Sequence, residues 1–206
     1  MLRIGSAALT AFAALAVSAG SANAGVLVSS AGSCDDQAMS KPFTQWLDYA
    51  DYTPLSGGNF ESGAAGWALA GGSAVAGGNE SYYVAGNGAS SLTVPSGGSA
   101  TSPTMCVGIE HPTIRFFSKR NSGGPLGLST MRVEVLFENN LGLVDSLPIG
   151  VVTASSSWQP TLPMAVLANL LPLLPGEHTP VAFRFTSLLG GTWSIDDIQV
   201  DPYARR

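Results

Sequence analysis

The chain has 206 residues, 25 of them Gly and 13 Pro, and only 11% carry a charged side chain, against roughly 25% in an ordinary soluble domain. The formal net charge is −5, and basic residues cluster only at Lys119-Arg120 and Arg205-Arg206, so the positive footprint of a nucleic-acid binder is missing and partners are expected to be neutral or cationic. Glycine without a G-X-Y period excludes collagen and points to many tight turns between short strands.

Residues 1–24 read as an export signal. Arg3 supplies the charge, Ile4 to Val17 the apolar stretch, and Ala22-Asn23-Ala24 the small-residue cleavage pattern, which places cleavage after Ala24. That stretch is shorter than the ~20 residues of a spanning helix. Met164 to Leu174, the next most apolar window, is broken by Asn169 and Pro172. A secreted protein, extracellular or periplasmic and without a membrane span, is expected, and a monomer. Residues 25–56 form a Ser/Gly/Ala-rich lead-in that carries Cys34. With Cys106 it makes the only cysteine pair of an exported chain, so a structural disulfide is expected rather than a metal or redox site. His111 lies close enough in sequence to activate the Cys106 thiol, but pairing with Cys34 would consume that thiol. After Pro42, the spacing of Phe43, Trp46, Leu47 and Ala50 predicts one short N-terminal helix.

From residue 57 to 206 the pattern becomes a β domain. Gly-Gly pairs at 57-58, 71-72, 77-78, 97-98, 123-124 and 190-191 separate runs with strand alternation. Strands are predicted over Trp67 to Val75, Ser81 to Ala85, Ser90 to Val94, Thr104 to Ile109, Ile114 to Lys119, Met131 to Phe137, Leu143 to Val152, Met164 to Ala168, Val181 to Thr186 and Trp193 to Val200. About ten short strands with one apolar face imply an all-β fold, an antiparallel β-sandwich. Met131, Val133, Val135 and Phe137 share one face, as do Val181, Phe183 and Phe185. The opposite face carries Arg115, Phe117, Lys119, Arg132, Glu134 and Arg184, expected to be wet. If these strands are neighbours, Arg115, Phe117, Arg132, Glu134 and Arg184 make a ligand-binding surface; the alternative is a solvated sheet face with cross-strand Arg–Glu pairs. In the last strand, Ile195 has one parity while Ile198 and Val200 have the other. A bulge at Asp196-Asp197 lets all three reach the core.

Sugar binding needs aromatic faces for stacking and planar polar groups for hydroxyls. The available rings are Trp46, Trp67, Tyr82, Tyr83, Phe117, Trp158 and Trp193, of which Trp46, Trp67 and Trp193 are assigned to the core. Asn59-Phe60-Glu61-Ser62-Gly63 with Gly66-Trp67, then Trp158-Gln159, then Trp193 through Val200 resemble the opening, middle and closing strands of jelly-roll carbohydrate-binding modules with a galactose-binding-like fold. The resemblance covers residues 57 to 201 and leaves the lead-in outside. It implies a jelly roll, and a structural calcium near the opening and closing motifs. The residues point the same way, since Glu61 and Asp197 at paired chain ends would offer hard oxygens to Ca²⁺. The alternative is that Asp197 accepts backbone N–H groups and Glu61 is solvated. Asp196 and the Asp35-Asp36 pair are the next candidates.

Enzyme signals are poor. No G-x-S-x-G elbow occurs, and His111 and His178 stand in turn-like contexts without ligand spacing. Asn79-Glu80-Ser81 matches the glycosylation pattern by chance on a loop. The expectation is a non-catalytic module for carbohydrate or cell-envelope glycan. The alternative is a structural or protein-interaction domain of the cell exterior, with a hydrolase third.

Overall fold

The computed structural model describes Leu27 and residues 37–108, 112–124, 127–139, 141–153, 156–166 and 178–202. The predicted N-terminal helix is not there. Its place is taken by one 3-10 turn, Thr44–Trp46, closed by Leu47 in the left-handed region at φ 60°. Of the four residues at helical spacing, only Phe43 is buried, and Leu47 is 80% exposed. The amphipathic spacing reflects an irregular segment that drops single side chains onto a sheet.

Thirteen strands follow among the described residues: β1 Thr53–Pro54, β2 Ala68–Ala70, β3 Ala74–Gly77, β4 Ser90–Val94, β5 Ser99–Thr101, β6 Met105–Gly108, β7 Thr113–Ser122, β8 Thr130–Glu138, β9 Val144–Val152, β10 Gln159–Pro160, β11 Met164–Ala165, β12 His178–Leu188 and β13 Thr192–Asp201. They form two antiparallel sheets. The first has the order β10-β7-β13-β4-β3, with β1 on β13 and β11 on β7; the second has the order β2-β5-β12-β8-β9, with β6 on β12. Inward side chains of both sheets meet in one core that includes Leu92, Phe116, Val133, Val135, Phe183, Phe185, Trp193 and Ile195. The protein is therefore an antiparallel β-sandwich, as the alternation predicts. Trp67 and Trp193 are core residues, while Trp46 is only half-buried.

Two predicted strands are corrected. Trp67 to Val75 is split between sheets, because β2 pairs with β5 and β3 pairs with β4. The crossing is made at Gly71 and Gly72, at φ 62° and 83°. A Cβ on Gly71 would stand 2.8 Å from the Gly98 Cα, so only glycine fits. Ser81 to Ala85 is a turn rather than a strand, since the N–H groups of Tyr82, Val84 and Ala85 are taken by carboxylates instead of a neighbouring strand. Leu167 and Ala168, at the end of another predicted strand, lie outside the described residues. The bulge in β13 is present. Its pairing with β7 shifts register between Asp196 and Gln199, Asp197 has φ 43°, and Ile195, Ile198 and Val200 all enter the core.

Candidate functional site

The five residues expected to share a wet surface are divided between the outer faces of the two sheets. Arg115 and Phe117 lie on β7 of the first sheet, and Arg132, Glu134 and Arg184 lie on β8 and β12 of the second.

Arg115 and Phe117 are buried, at 4% and 0% exposure, and their expected wetness is corrected. Residues 40–52 of the lead-in fold over them, held by the Ser40–Tyr52 bridge. The Arg115 guanidinium donates to the Asp48 carboxylate, and its Nε donates to the Thr161 carbonyl at 2.8 Å. Its carbon centre stands 4.2 Å from the Phe43 ring centroid. Desolvation alone would raise the Asp48 carboxyl, but the Ala50 N–H, Tyr52 hydroxyl and Arg115 hold it below its ordinary value. Burial drives the Tyr52 hydroxyl strongly upward. Phe117 stacks on Phe43 and forms the floor of an aromatic group with Trp46 and Tyr82. Parity assigned these residues to the outer face correctly. It carries no information about what covers that face.

The second sheet keeps a row of charges. Glu134 faces Arg184 in register, and Thr186 faces Arg132. Arg184 Nε donates to Glu134 Oε2 at 2.9 Å, and Arg132 lies 3.2 Å from the same oxygen. The Ser146 hydroxyl closes the group, accepting from Arg184 at 3.2 Å and donating to Glu134. The Arg184 hydrogen bond outweighs desolvation and, with the charges of Arg184 and Arg132, holds the Glu134 carboxyl below its ordinary value. The Glu134 side chain is 5% exposed, whereas those of Arg132 and Arg184 are 38% and 32% exposed. Arg132 Nε is buried without a hydrogen-bond partner. Farther along this face, Leu136 and Ala182 are covered by Leu27.

The closing motif carries two members of a cluster of buried acids, and the charge of Glu61 in the opening motif acts on Asp197. Glu80, Asp196 and Asp197 are 0%, 0% and 2% exposed. Asp196 accepts the Glu80 and Asp197 N–H groups, each at 2.9 Å. Asp197 accepts from Ala85 at 3.0 Å, and Glu61 accepts from Ala89 at 2.9 Å and Ser90 at 2.8 Å. Glu80 accepts from Tyr82, and from Val84 at 2.7 Å. Burial, with Asp197 and Glu80 adding repulsion, pushes the Asp196 carboxyl up to about 8. Burial and the charges of Glu80 and Glu61 push Asp197 up to about 6. The Glu61 Oε1 and Asn79 Oδ1 crowd Gly88, where a Cβ would meet them at 2.7 and 2.0 Å. No group of three or more His, Cys, Asp or Glu among the described residues is arranged to hold a metal ion. Beside the cluster, a cavity of about 460 Å³ opens between the lead-in and the bulge, lined by residues that include Pro42, Leu55, Asn59, Val84, Asp197 and Gln199.

Cys106 on β6 is buried, and no described cysteine is free. Cys34, His111 and the Asp35-Asp36 pair lie outside the described residues. Among the described residues no helix is long and apolar enough to cross a membrane. The role of Glu80 was missed by sequence reasoning, because an acid inside a glycosylation-like triplet looks like any exposed loop residue.

No protein-family model matches the sequence, and no curated protein does. Solved structures similar to this chain include the CBM22-1-GH10 modules of Clostridium thermocellum xylanase 10B complexed with xylohexaose, at TM-score 0.47 and 15% identity over 72% of this chain. Also similar are the enzymatically active domain of bacteriophage CBA120 tailspike protein 4, at 0.46 and 16% over 71% of this chain, and the CBM22-1 xylan-binding domain of Paenibacillus barcinonensis Xyn10C, at 0.47 and 15% over 73%. The chain spans 28% of the first of these structures, 21% of the second and 94% of the third.

Proposed function

We propose that this protein is a secreted, non-catalytic module that binds carbohydrate through the outer face of its second sheet. The observation that carries the reading is the row of Arg184, Glu134 and Arg132, two partly exposed guanidinium groups fixed by one buried carboxylate. Planar, oriented donors of this kind suit sugar hydroxyls, and holding them rigid beforehand lowers the entropy cost of binding. The solved modules similar to this chain include one named as xylan-binding, which sets the first glycan to try. The test is affinity electrophoresis of the protein from residue 25 onward in gels containing xylan or galactan. Retardation by one polymer is expected, and it should weaken in the Arg132→Ala, Arg184→Ala double variant. Unchanged retardation in that variant removes the site.

A structural or interaction role is the second reading. It is favoured by the closure of Arg132, Glu134, Arg184 and Ser146 on one another, which leaves an ordinary solvated sheet face.

Three further assignments belong to this reading. Residues 1–24 direct export, and Cys34 pairs with Cys106 in the oxidising compartment; a mass two hydrogens below that of the reduced protein tests the bond. A calcium ion near Glu61 and Asp197 would be held by their carboxylates with main-chain carbonyl oxygens, and would supply the counter-charge that this desolvated acid cluster lacks.

A further inference from the structure

The loop from residue 80 to 85 is held from within by buried acids. Glu80, Asp196 and Asp197 accept four of its backbone N–H groups, those of Glu80, Tyr82, Val84 and Ala85. Between them Tyr83 is forced to φ 55°, a left-handed conformation uncommon for a bulky side chain. The side chains presented by this clamped segment are not folded away, since Tyr82 is 38% and Tyr83 53% exposed. Tyr82 is itself fixed by rings on two sides, at 5.0 Å and 79° to Trp46 and at 5.5 Å and 33° to Phe117. A strained loop that is clamped from within yet leaves two aromatic side chains partly in water is a pointer to function.

We propose that Trp46, Tyr82 and Tyr83 form a second binding platform, on the first sheet and opposite the Arg132–Glu134–Arg184 row, which takes the C–H face of a neutral sugar ring. The charges around it argue for neutrality. Arg115 is matched by Asp48, Lys41 by Asp51 at 2.9 Å, and Lys119 lies over the Trp158 ring at 5.1 Å. The three acids beneath the loop are turned to its backbone. Tyrosine combines a face for stacking with a hydroxyl for hydrogen bonding, as a sugar requires and an aliphatic partner does not. The ligand class rests on the carbohydrate reading above, but the site is a different one.

The experiment is affinity electrophoresis in xylan, galactan, β-glucan and polygalacturonate, with tryptophan fluorescence followed in parallel. Tyr82→Ala, Tyr83→Asn and Trp46→Phe are compared with the wild type and with the Arg132→Ala, Arg184→Ala double variant. Asn tolerates the left-handed backbone, so Tyr83→Asn removes the ring without releasing the loop. Retardation in a neutral polymer should weaken about tenfold in each tyrosine variant, as expected for loss of one stacking ring. Some retardation should survive in the double arginine variant. Tyrosine variants that match the wild type in every gel overturn this inference and leave the second-sheet site standing. Retardation lost in the tyrosine variants but untouched in the arginine variant does the reverse, and a wild type retarded by nothing overturns both. Preference for polygalacturonate removes the neutral ligand. A concentration-dependent dimer that Tyr83→Asn abolishes, seen by sedimentation, assigns the rings to a second copy and also overturns it.

Discussion

At the scale of single residues, several charged groups are buried among the described residues, Arg115, Glu80, Glu134, Asp196 and Asp197 among them. Arg115 and Asp48 form a pair whose side chains are 5% and 16% exposed, so Arg115→Ala would take the counter-charge from a carboxylate that keeps only the Ala50 N–H and Tyr52 hydroxyl, and would leave the Thr161 carbonyl without its Arg115 donor. Breaking a buried pair costs roughly 3–5 kcal/mol, and urea unfolding should report a loss of that order; an unchanged midpoint would show that the lead-in is not held by this contact. The acid cluster gives a pH signature. With Asp196 near 8 and Asp197 near 6, the folded state keeps protons that the unfolded chain has already released. Their contribution to stability is therefore greatest below the ordinary carboxylate range and falls as pH rises through about 6 and then about 8. In EDTA, the melting temperature should decline by several degrees between about pH 5 and about pH 8.5. Calcium at ~100 Kd would add about 2.7 kcal/mol, worth roughly 2–4 °C per kcal/mol in a domain of this size. The addition should be largest at the alkaline end, where protons no longer compete, and absent in Asp197→Asn. Identical melts with and without calcium at all pH values would leave backbone N–H groups as the only partners of these carboxylates.

At the scale of elements, alternation located the long strands because each has one face in the core. Met131, Val133 and Val135, or Phe183 and Phe185, declare β8 and β12 by period alone. The same rule failed at Trp67 to Val75, where apolar residues continue through a change of sheet, and at Ser81 to Ala85, where side-chain carboxylates, one of them from the last strand, capture the backbone. Short β1, β5 and β10 carry too few residues to show a period. The candidate site was legible only by parity: the outward positions were read correctly, but whether a segment lies over them depends on contacts far apart in sequence. Gly71 tests the sheet crossing. Gly71→Ala must accommodate both a positive φ and a 2.8 Å approach to Gly98, and should cost roughly 1–3 kcal/mol. A substitution that melts with the wild type would mean that the β2–β3 turn can relax without disturbing either sheet.

At the scale of the whole molecule, the two sheets differ in what lies outside them. The lead-in, with Phe43 and Tyr52, extends the structure over the first sheet, while the second is open along its charged row and covered, among the described residues, only where Leu27 meets Leu136 and Ala182. The two proposed sites accordingly look away from each other, so one molecule could engage two chains of a polymer mesh.

The position of β13 has a consequence for how such a chain is made. β13, the last strand among the described residues, is an interior one, hydrogen-bonded to β1, β4 and β7, and it supplies Trp193, Ile195, Ile198 and Val200 to the core. Synthesis from the N-terminus therefore yields the other described strands before the one that joins them. A nascent polypeptide cannot close its first sheet until Asp201 has left the ribosome, and the dominance of distant pairings makes closure slow even then. Stalled chains ending before residue 192 should remain sensitive to protease, and those extended past residue 202 by a linker should become resistant in one step. Late closure keeps the polypeptide threadable for as long as it is being made, which the export proposed for residues 1–24 would require.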